Sequence, residues 1–274
     1  MNRTKIADKL LLCLMRLFAA LTLLVLLSII AYILINGIPH LSLSLFEFTH
    51  TADNVSMFPS IVSTLLMVLI TLTFAVPLGI ATGIYLVEYT NKGNRFVAAI
   101  RTAAELLAGI PSIVYGLFGL LFFVEFLGLG ISVLSGSLTL SIMVLPLVIR
   151  TTEEALKSVS DGYREGSFAL GAGKLRTIFK IVLPAAMPGI FAGVILAIGR
   201  IIGESAALIF TAGTIAQIPE NLMQSARTLS VHMWALSNEG YHVNETYATA
   251  VILLIIVFLI NAVSTFVAGK IAKR

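Results

Sequence analysis

Two charged residues stand inside one apolar run, in Gly199-Arg200-Ile201-Ile202-Gly203-Glu204-Ser205. A charge in hydrocarbon costs about 2.5 to 3.5 kcal/mol on insertion scales, so both must face protein or water. Their i,i+4 spacing would put them on one face of a helix. A guanidinium offers a rigid fork of donors that suits phosphate or carboxylate oxygens. The pair therefore reads as an anion gate in which Glu204 holds Arg200 when no substrate is present; the competing reading is an internal ion pair that only fixes helix packing. Gly199 and Gly203 remove bulk beside the charges, leaving room for a neighbouring helix or a ligand. Counting from Pro184, Arg200 lies roughly 24 Å along a helix, near or past the middle of a bilayer.

Other motifs are decoys. Gly171-Ala172-Gly173-Lys174 looks like a phosphate cradle, but Phe168 stands where a P-loop needs its first Gly and Leu175 where it needs Ser or Thr. Gly203-Glu204-Ser205 continues into Ala206-Ala207 and fails as a nucleophile elbow. No His-Glu-x-x-His pattern is present, and the single cysteine, Cys13, excludes an intramolecular disulfide or a cysteine metal cluster. His40, His50, His232 and His242 fall outside the apolar runs and read as solvated outer-loop residues. The chain is expected to be non-catalytic, with no metal and no cofactor of its own.

The elements that must position Arg200 follow from composition. The chain has 274 residues, 58% hydrophobic and 12% charged, with a mean hydropathy of +1.00. That is too little polar surface for a soluble domain of this size. Runs of about 20 apolar residues indicate helices that cross a hydrocarbon core of about 30 Å, not alternating barrel strands. The expected fold is all-α, a polytopic membrane bundle forming a single transmembrane domain over 1–274. Its six spans fall near 10–35, 60–87, 110–127, 131–149, 184–212 and 248–268. Pro77 and Gly79 predict a kink or break in the second span, and Gly109-Ile110-Pro111 a bend between a short surface helix and the third.

All but Arg200 and Arg227 of the 18 Lys and Arg residues fall in the N-terminal segment, the second and fourth loops and the C-terminal segment. The positive-inside rule then puts both termini in the cytoplasm and explains the net charge of +4 without nucleic acid. Arg101 and Glu105 repeat the i,i+4 spacing near the inner end of the third element and read as a surface or snorkelling pair. Glu125 reads as water-facing at an outer end. Leu222, Met223, Ala226, Leu229, Met233 and Trp234 suggest an interfacial helix on the outside, serving as a lid or as a receiver for a binding protein.

The cytoplasmic loop 150–183 is basic and half-apolar. Glu165-Gly166-Ser167, then Gly171, then Ile181-x-Leu183-Pro184 resembles the EAA loop of ABC-importer permeases, with Gly166 and Ser167 in place of two alanines. Gly171 and Gly173 should end one short helix and let the backbone turn, since Gly takes positive φ without steric cost. Phe168, Leu170, Ile178 and Phe179 would supply apolar contacts while the basic residues stay wet. Pro184 suits the first turn of the next span.

Ala108-Gly109-Ile110-Pro111-Ser112-Ile113-Val114-Tyr115-Gly116 and the stretch from Gly199 to Ala212 look like the ABC phosphate-importer permeases, closest to the PstA type. Ser205 and Ala207 depart from residues common there. The resemblance implies a type I importer fold in a bacterial or archaeal cytoplasmic membrane. It implies as partners a second homologous permease subunit, two ATP-binding subunits carrying ATP and Mg, and an external phosphate-binding protein. By resemblance, Arg200 and Glu204 would line the path, while Glu165, Gly166, Ser167, Phe168, Gly171, Ile181, Leu183 and Pro184 would couple it to ATP hydrolysis.

Overall fold

The computed structural model describes residues 2–90 and 95–272, and Lys92, Lys273 and Arg274 lie outside them. Among the described residues the chain is helical with no strand. Helix α1 spans Asn2–Gly37 and α2 Phe58–Glu88. Helix α3, Arg95–Ala108, meets α4, Ser112–Gly119, across a bend of 104°. A wider π-helical stretch, Leu120–Phe126, prolongs α4. Then come α5, Val133–Ser158; α6, Asp161–Ala169; and α7, Lys174–Thr177, which passes through a π-helical turn at Ile178–Val182 into α8, Leu183–Gly203. Helices α9, Ala206–Thr211, α10, Leu229–Glu239, and α11, Val243–Ala272, complete the chain. Among the described residues five helices are long and apolar enough to cross a membrane, and the bent α3–α4 pair makes a sixth crossing if counted as one.

The core is α2, α5 and α8, and small residues let them approach. Helices α2 and α5 run parallel: Thr71 Oγ1 donates to the Ser137 carbonyl and Ser141 Oγ to the Thr71 carbonyl, both at 3.3 Å. Further along, a Cβ on Gly79 would lie 2.6 Å from the Val148 side chain. Helix α8 runs antiparallel to α5, with Gly189 opposite Ala155 and Gly193 against Thr151. Lipid offers no hydrophobic drive between helices, so close backbone approach through small residues is what holds such a bundle. Helix α1 touches α11 near its end, where Gly37 abuts Tyr247 and Val251 and Tyr32 meets the Tyr247 ring, and its residues 8–32 are exposed and mostly apolar.

Several boundaries differ from expectation. Pro77 lies inside an unbroken α2. Helix α5 runs eight residues past Arg150, and the ion pairs Arg150–Glu154 and Glu153–Lys157, each i,i+4, brace this extension. Pro184 lies in the first turn of α8, as expected, but the preceding turns run into it without a break, so the helix is continuous from Lys174 to Gly203. The π-helical turn sits just before Pro184, widening the backbone where the ring would crowd the preceding turn and no N–H is available. The outer helix begins only at Leu229, where Thr228 caps it by accepting from the Val231 N–H, and residues 220–228 are non-helical.

Candidate translocation and docking sites

Helix α8 stops at Gly203, so Glu204 does not share a helical face with Arg200. The Glu204 backbone is extended, with φ −77° and ψ 129°, and its carboxylate accepts the Ala207 N–H at 3.1 Å to cap α9. Ser230 on α10 donates to the Glu204 carbonyl and pins this break to the outer layer. The expected Arg200–Glu204 clasp is therefore not formed. Among the described residues Arg200 has no ion pair, and its side chain is exposed. A Cβ at Gly199 or Gly203 would meet nothing within 4 Å, so this side faces open space and no helix of the same chain.

The depth of Arg200 follows from the antiparallel register. Gly193 faces Thr151 and Gly189 faces Ala155, which sets Arg200 level with Val144, the middle of α5. There it lines a cavity of about 470 Å³ together with Met143, Glu105 and Arg101. The same cavity reaches Lys157, fourteen residues beyond Met143 and so about 21 Å further along α5. Arg101 does not pair with Glu105. Its guanidinium lies 2.7 Å from Glu153, which also holds the Lys157 ammonium at 2.6 Å.

The inner loop folds as two short helices around a turn. Leu170, Gly171 and Ala172 close α6: the Gly171 N–H donates to the Phe168 carbonyl at 2.9 Å and the Ala172 N–H to the Ser167 carbonyl at 3.1 Å. This is a Schellman closure, and Gly171 takes φ +81° for it. Gly173, at φ −73°, needs no such freedom. Ser167 is buried against Thr177, hydroxyl to hydroxyl at 2.8 Å, which holds α6 onto α7. Glu165, Gly166 and Pro184 are exposed, and Ile181 and Leu183 half-buried.

Of the expected apolar contacts only Ile178 is buried. Phe168 is 47%, Phe179 54% and Leu170 91% exposed. Three large apolar side chains on a water-facing elbow make a surface suited to another protein. Nor do all the basic residues stay wet. The Arg164 side chain is only 14% exposed, 2.7 Å from Glu88, and donates to the Leu156 and Val159 carbonyls that end α5.

On the outer side, His232 is fully buried and neither ring nitrogen has a hydrogen-bond partner. Burial, with Arg227 and His50 nearby, pushes its pKa down to about 2. Arg227, also buried, donates to His50 Nε2 at 3.1 Å, and His50 Nδ1 lies 2.9 Å from the Ser56 carbonyl. His40 is exposed as expected, but the expectation of solvated histidines is corrected for His232 and for the partly buried His50: α10 turns its Val231, His232, Ala235 and Leu236 face into the protein. A chain pattern read for membrane spans carries no sign of this folding back.

Residues 75–274 match the family of binding-protein-dependent transport system inner membrane components. The chain belongs to this family. The permease is 35% identical over 296 residues to the probable ABC transporter permease protein YqgI of Bacillus subtilis (strain 168), covering 100% of this chain and 99% of that one. It is 34% identical over 221 residues to the phosphate transport system permease protein PstA 1 of Mycobacterium tuberculosis (strain CDC 1551 / Oshkosh), covering 80% of this chain and 72% of that protein. With PstA of Mycobacterium leprae (strain TN) the identity is 41% over 157 residues, 57% of this chain and 51% of that one. Among solved structures, a chain of the bacterial alginate ABC transporter in complex with an alginate pentasaccharide-bound periplasmic protein superposes with TM-score 0.62. That match is at 17% identity over 92% of this chain and 95% of that one. A chain of the inward-facing MetNI methionine ABC transporter gives 0.61 at 20% identity over 78% and 94%. These likenesses establish the type I importer permease fold.

Sequence reasoning missed Glu153 and Lys157 as members of the permease cavity and left Arg101 as a surface residue. Their i,i+4 spacing was visible. The partnership with Arg101, 52 positions away, is tertiary and leaves no local signal.

Proposed function

We propose that this permease forms half of the membrane pathway of an ATP-driven importer of inorganic phosphate. The observation that carries the reading is the exposed Arg200 guanidinium, without an ion pair among the described residues, on the wall of an open cavity at the level of Val144. Phosphate is the anion that the names of several relatives supply, and a guanidinium fork matches its oxygens. Glu204 belongs to the pathway as the residue that shapes the break beside Arg200, not as its counter-ion.

The partners in this reading are a second homologous permease subunit, two ATP-binding subunits and an extracytoplasmic phosphate-binding protein. The membrane is the bacterial or archaeal cytoplasmic membrane, with the α6–α7 elbow on its inner side. The elbow offers Phe168 and Leu170 to an ATP-binding subunit, and Glu165, Gly166, Ser167, Gly171, Ile181, Leu183 and Pro184 give it its shape and its link to α8. ATP and Mg are held by those subunits, and this chain supplies path and coupling without chemistry. Closure of the ATP-binding pair would push on the elbow and rock α8 with Arg200, so that access alternates between the two sides.

A permease for another oxyanion, such as sulfate, molybdate or a phosphonate, is the second reading, because a guanidinium recognises charge and oxygen geometry common to all of them. The deciding experiment is uptake of labelled phosphate into proteoliposomes holding the permease with its partner subunits. ATP-dependent accumulation that unlabelled sulfate and molybdate fail to compete is expected. Accumulation without ATP would make the protein a secondary transporter or channel, and competition by another oxyanion would replace phosphate.

A further inference from the structure

We infer that Arg101 and Lys157, with Glu153 between them, form a second oxyanion station on the inner side of Arg200, where the transported anion rests before release. The inference rests on the reading of Arg200 as part of an anion pathway, and it extends the path to residues that the reading does not use.

The first support is continuity. Arg200, Arg101, Glu153 and Lys157 line one cavity, which runs from the middle of α5 to its inner end. An anion leaving Arg200 along this cavity reaches the triad.

Charge is the second. Two cations converge on a single oxygen of Glu153, Arg101 at 2.7 Å and Lys157 at 2.6 Å. One carboxylate cannot neutralise both, so the triad carries a net positive charge. Glu153 is nearly buried, with its side chain 10% exposed, whereas Arg101 and Lys157 are 41% and 54% exposed. The carboxylate is thus held back and the cations are the groups within reach of an incoming ligand.

Unspent donors are the third. A guanidinium has five N–H donors and an ammonium three, and both groups meet Glu153 Oε1 as close ion pairs without hydrogen-bond geometry. The Arg101 Nε–H is buried without a hydrogen-bond partner, so the donors open to an anion are those at the end of the guanidinium. Arg150, on the same cavity, differs: Glu154 holds its Nε at 2.9 Å in an exposed surface pair. The donor set at Arg101 and Lys157 suits a tetrahedral oxyanion.

Glu153 then has a definite role. Passage through a pore needs sites that bind well enough to be entered and weakly enough to be left. By competing for the same two cations, Glu153 keeps the station weak. It is a positioning residue that sets the affinity and does not touch the anion.

A purely structural clasp between α3 and α5 would show the same three residues, and the two ideas differ in sign. The test is equilibrium binding of labelled inorganic phosphate to the detergent-purified complex of permease and ATP-binding subunits, without the external binding protein. Saturable binding is expected in the wild type. Arg101→Gln combined with Lys157→Gln should weaken that binding about tenfold or more, the scale of a lost charge-assisted contact. Arg101→Lys should restore most of it. Glu153→Gln should tighten binding about threefold or more, since it frees both cations.

Absence of saturable binding in the wild type would overturn the station. So would unchanged affinity in the Arg101→Gln/Lys157→Gln complex, or weakened binding in Glu153→Gln. Thermal midpoints taken on the same samples separate loss of the fold from loss of the site. Failure of the pathway reading shows elsewhere, as phosphate uptake by Arg200→Gln at the wild-type rate.

Discussion

Arg164 and Glu88 join the docking elbow to the inner end of α2 at 2.7 Å, and the same guanidinium closes the carbonyl end of α5. One side chain thus ties α6 to two of the three core helices, which makes it a mechanical strut between elbow and bundle. Both side chains are largely buried, at 14% and 9% exposure. Removing one partner of such a pair leaves a stranded charge, at a cost of about 3 kcal/mol or more. Arg164→Met should therefore lower the thermal midpoint of the purified complex and reduce phosphate moved per ATP hydrolysed. The Arg164→Met/Glu88→Met double variant should recover part of the stability but not the coupling. A double variant no more stable than Arg164→Met would show that the pair contributes little.

The turn that ends α6 requires a left-handed backbone at Gly171, φ +81°, and nothing lies within 4 Å of where a Cβ would point. A substitution there meets conformational strain alone, about 1 to 2 kcal/mol for an ordinary residue. Gly171→Val should leave assembly intact while tilting the elbow, so that ATP hydrolysis continues and uptake falls severalfold. Gly171→Asn, which tolerates this conformation, should stay near wild type. Parallel ATPase and uptake rates for the three proteins check this.

At the break after α8 the two charged residues have separate work, and their variants should part company. Arg200→Gln should assemble and abolish uptake. Glu204→Gln should be mild, because the amide oxygen can still accept the Ala207 N–H that the carboxylate now caps. Glu204→Leu removes the acceptor, and a lost cap costs about 1 kcal/mol. Uptake measured at equal permease content distinguishes the three; equal loss in Glu204→Gln and Arg200→Gln would restore the paired gate.

These comparisons show which features the chain pattern carries. Span composition, the bend at Gly109-Ile110-Pro111 and the Gly171 turn are local properties, fixed by apolar length and by the backbone freedom of Gly, and they could be read directly. The Arg200–Glu204 spacing misled because i,i+4 logic assumes that the helix continues. Gly203 followed by a carboxylate that can cap the next helix at Ala207 is what breaks it. The Arg101–Glu153 contact and the burial of His232 depend on helices meeting far along the chain, and hydropathy treats an outer loop as wet even when, as in α10, it folds back into the protein.

That fold-back gives the outer layer a pH dependence of definite sign. His232 has its pKa pushed from 6.5 down to about 2 by burial first, then by Arg227 and His50. His50 is lowered in the same direction by burial and by Arg227, against the opposing effects of its Ser56 hydrogen bond and of Glu239. Below pH 6.5 the unfolded imidazole takes up a proton that the folded one refuses, so the unfolded state binds more protons and stability falls with pH. The contribution is complete above 6.5 and is lost progressively on the way down toward 2, at a limiting slope of about 1.4 kcal/mol per pH unit for one proton. The thermal midpoint of the purified complex should therefore drop between pH 7.5 and pH 5. His232→Leu should flatten that drop, and because it also removes two unpartnered buried nitrogens it should cost little at pH 7.5. A profile in His232→Leu as steep as in the wild type would place the acid sensitivity in other groups.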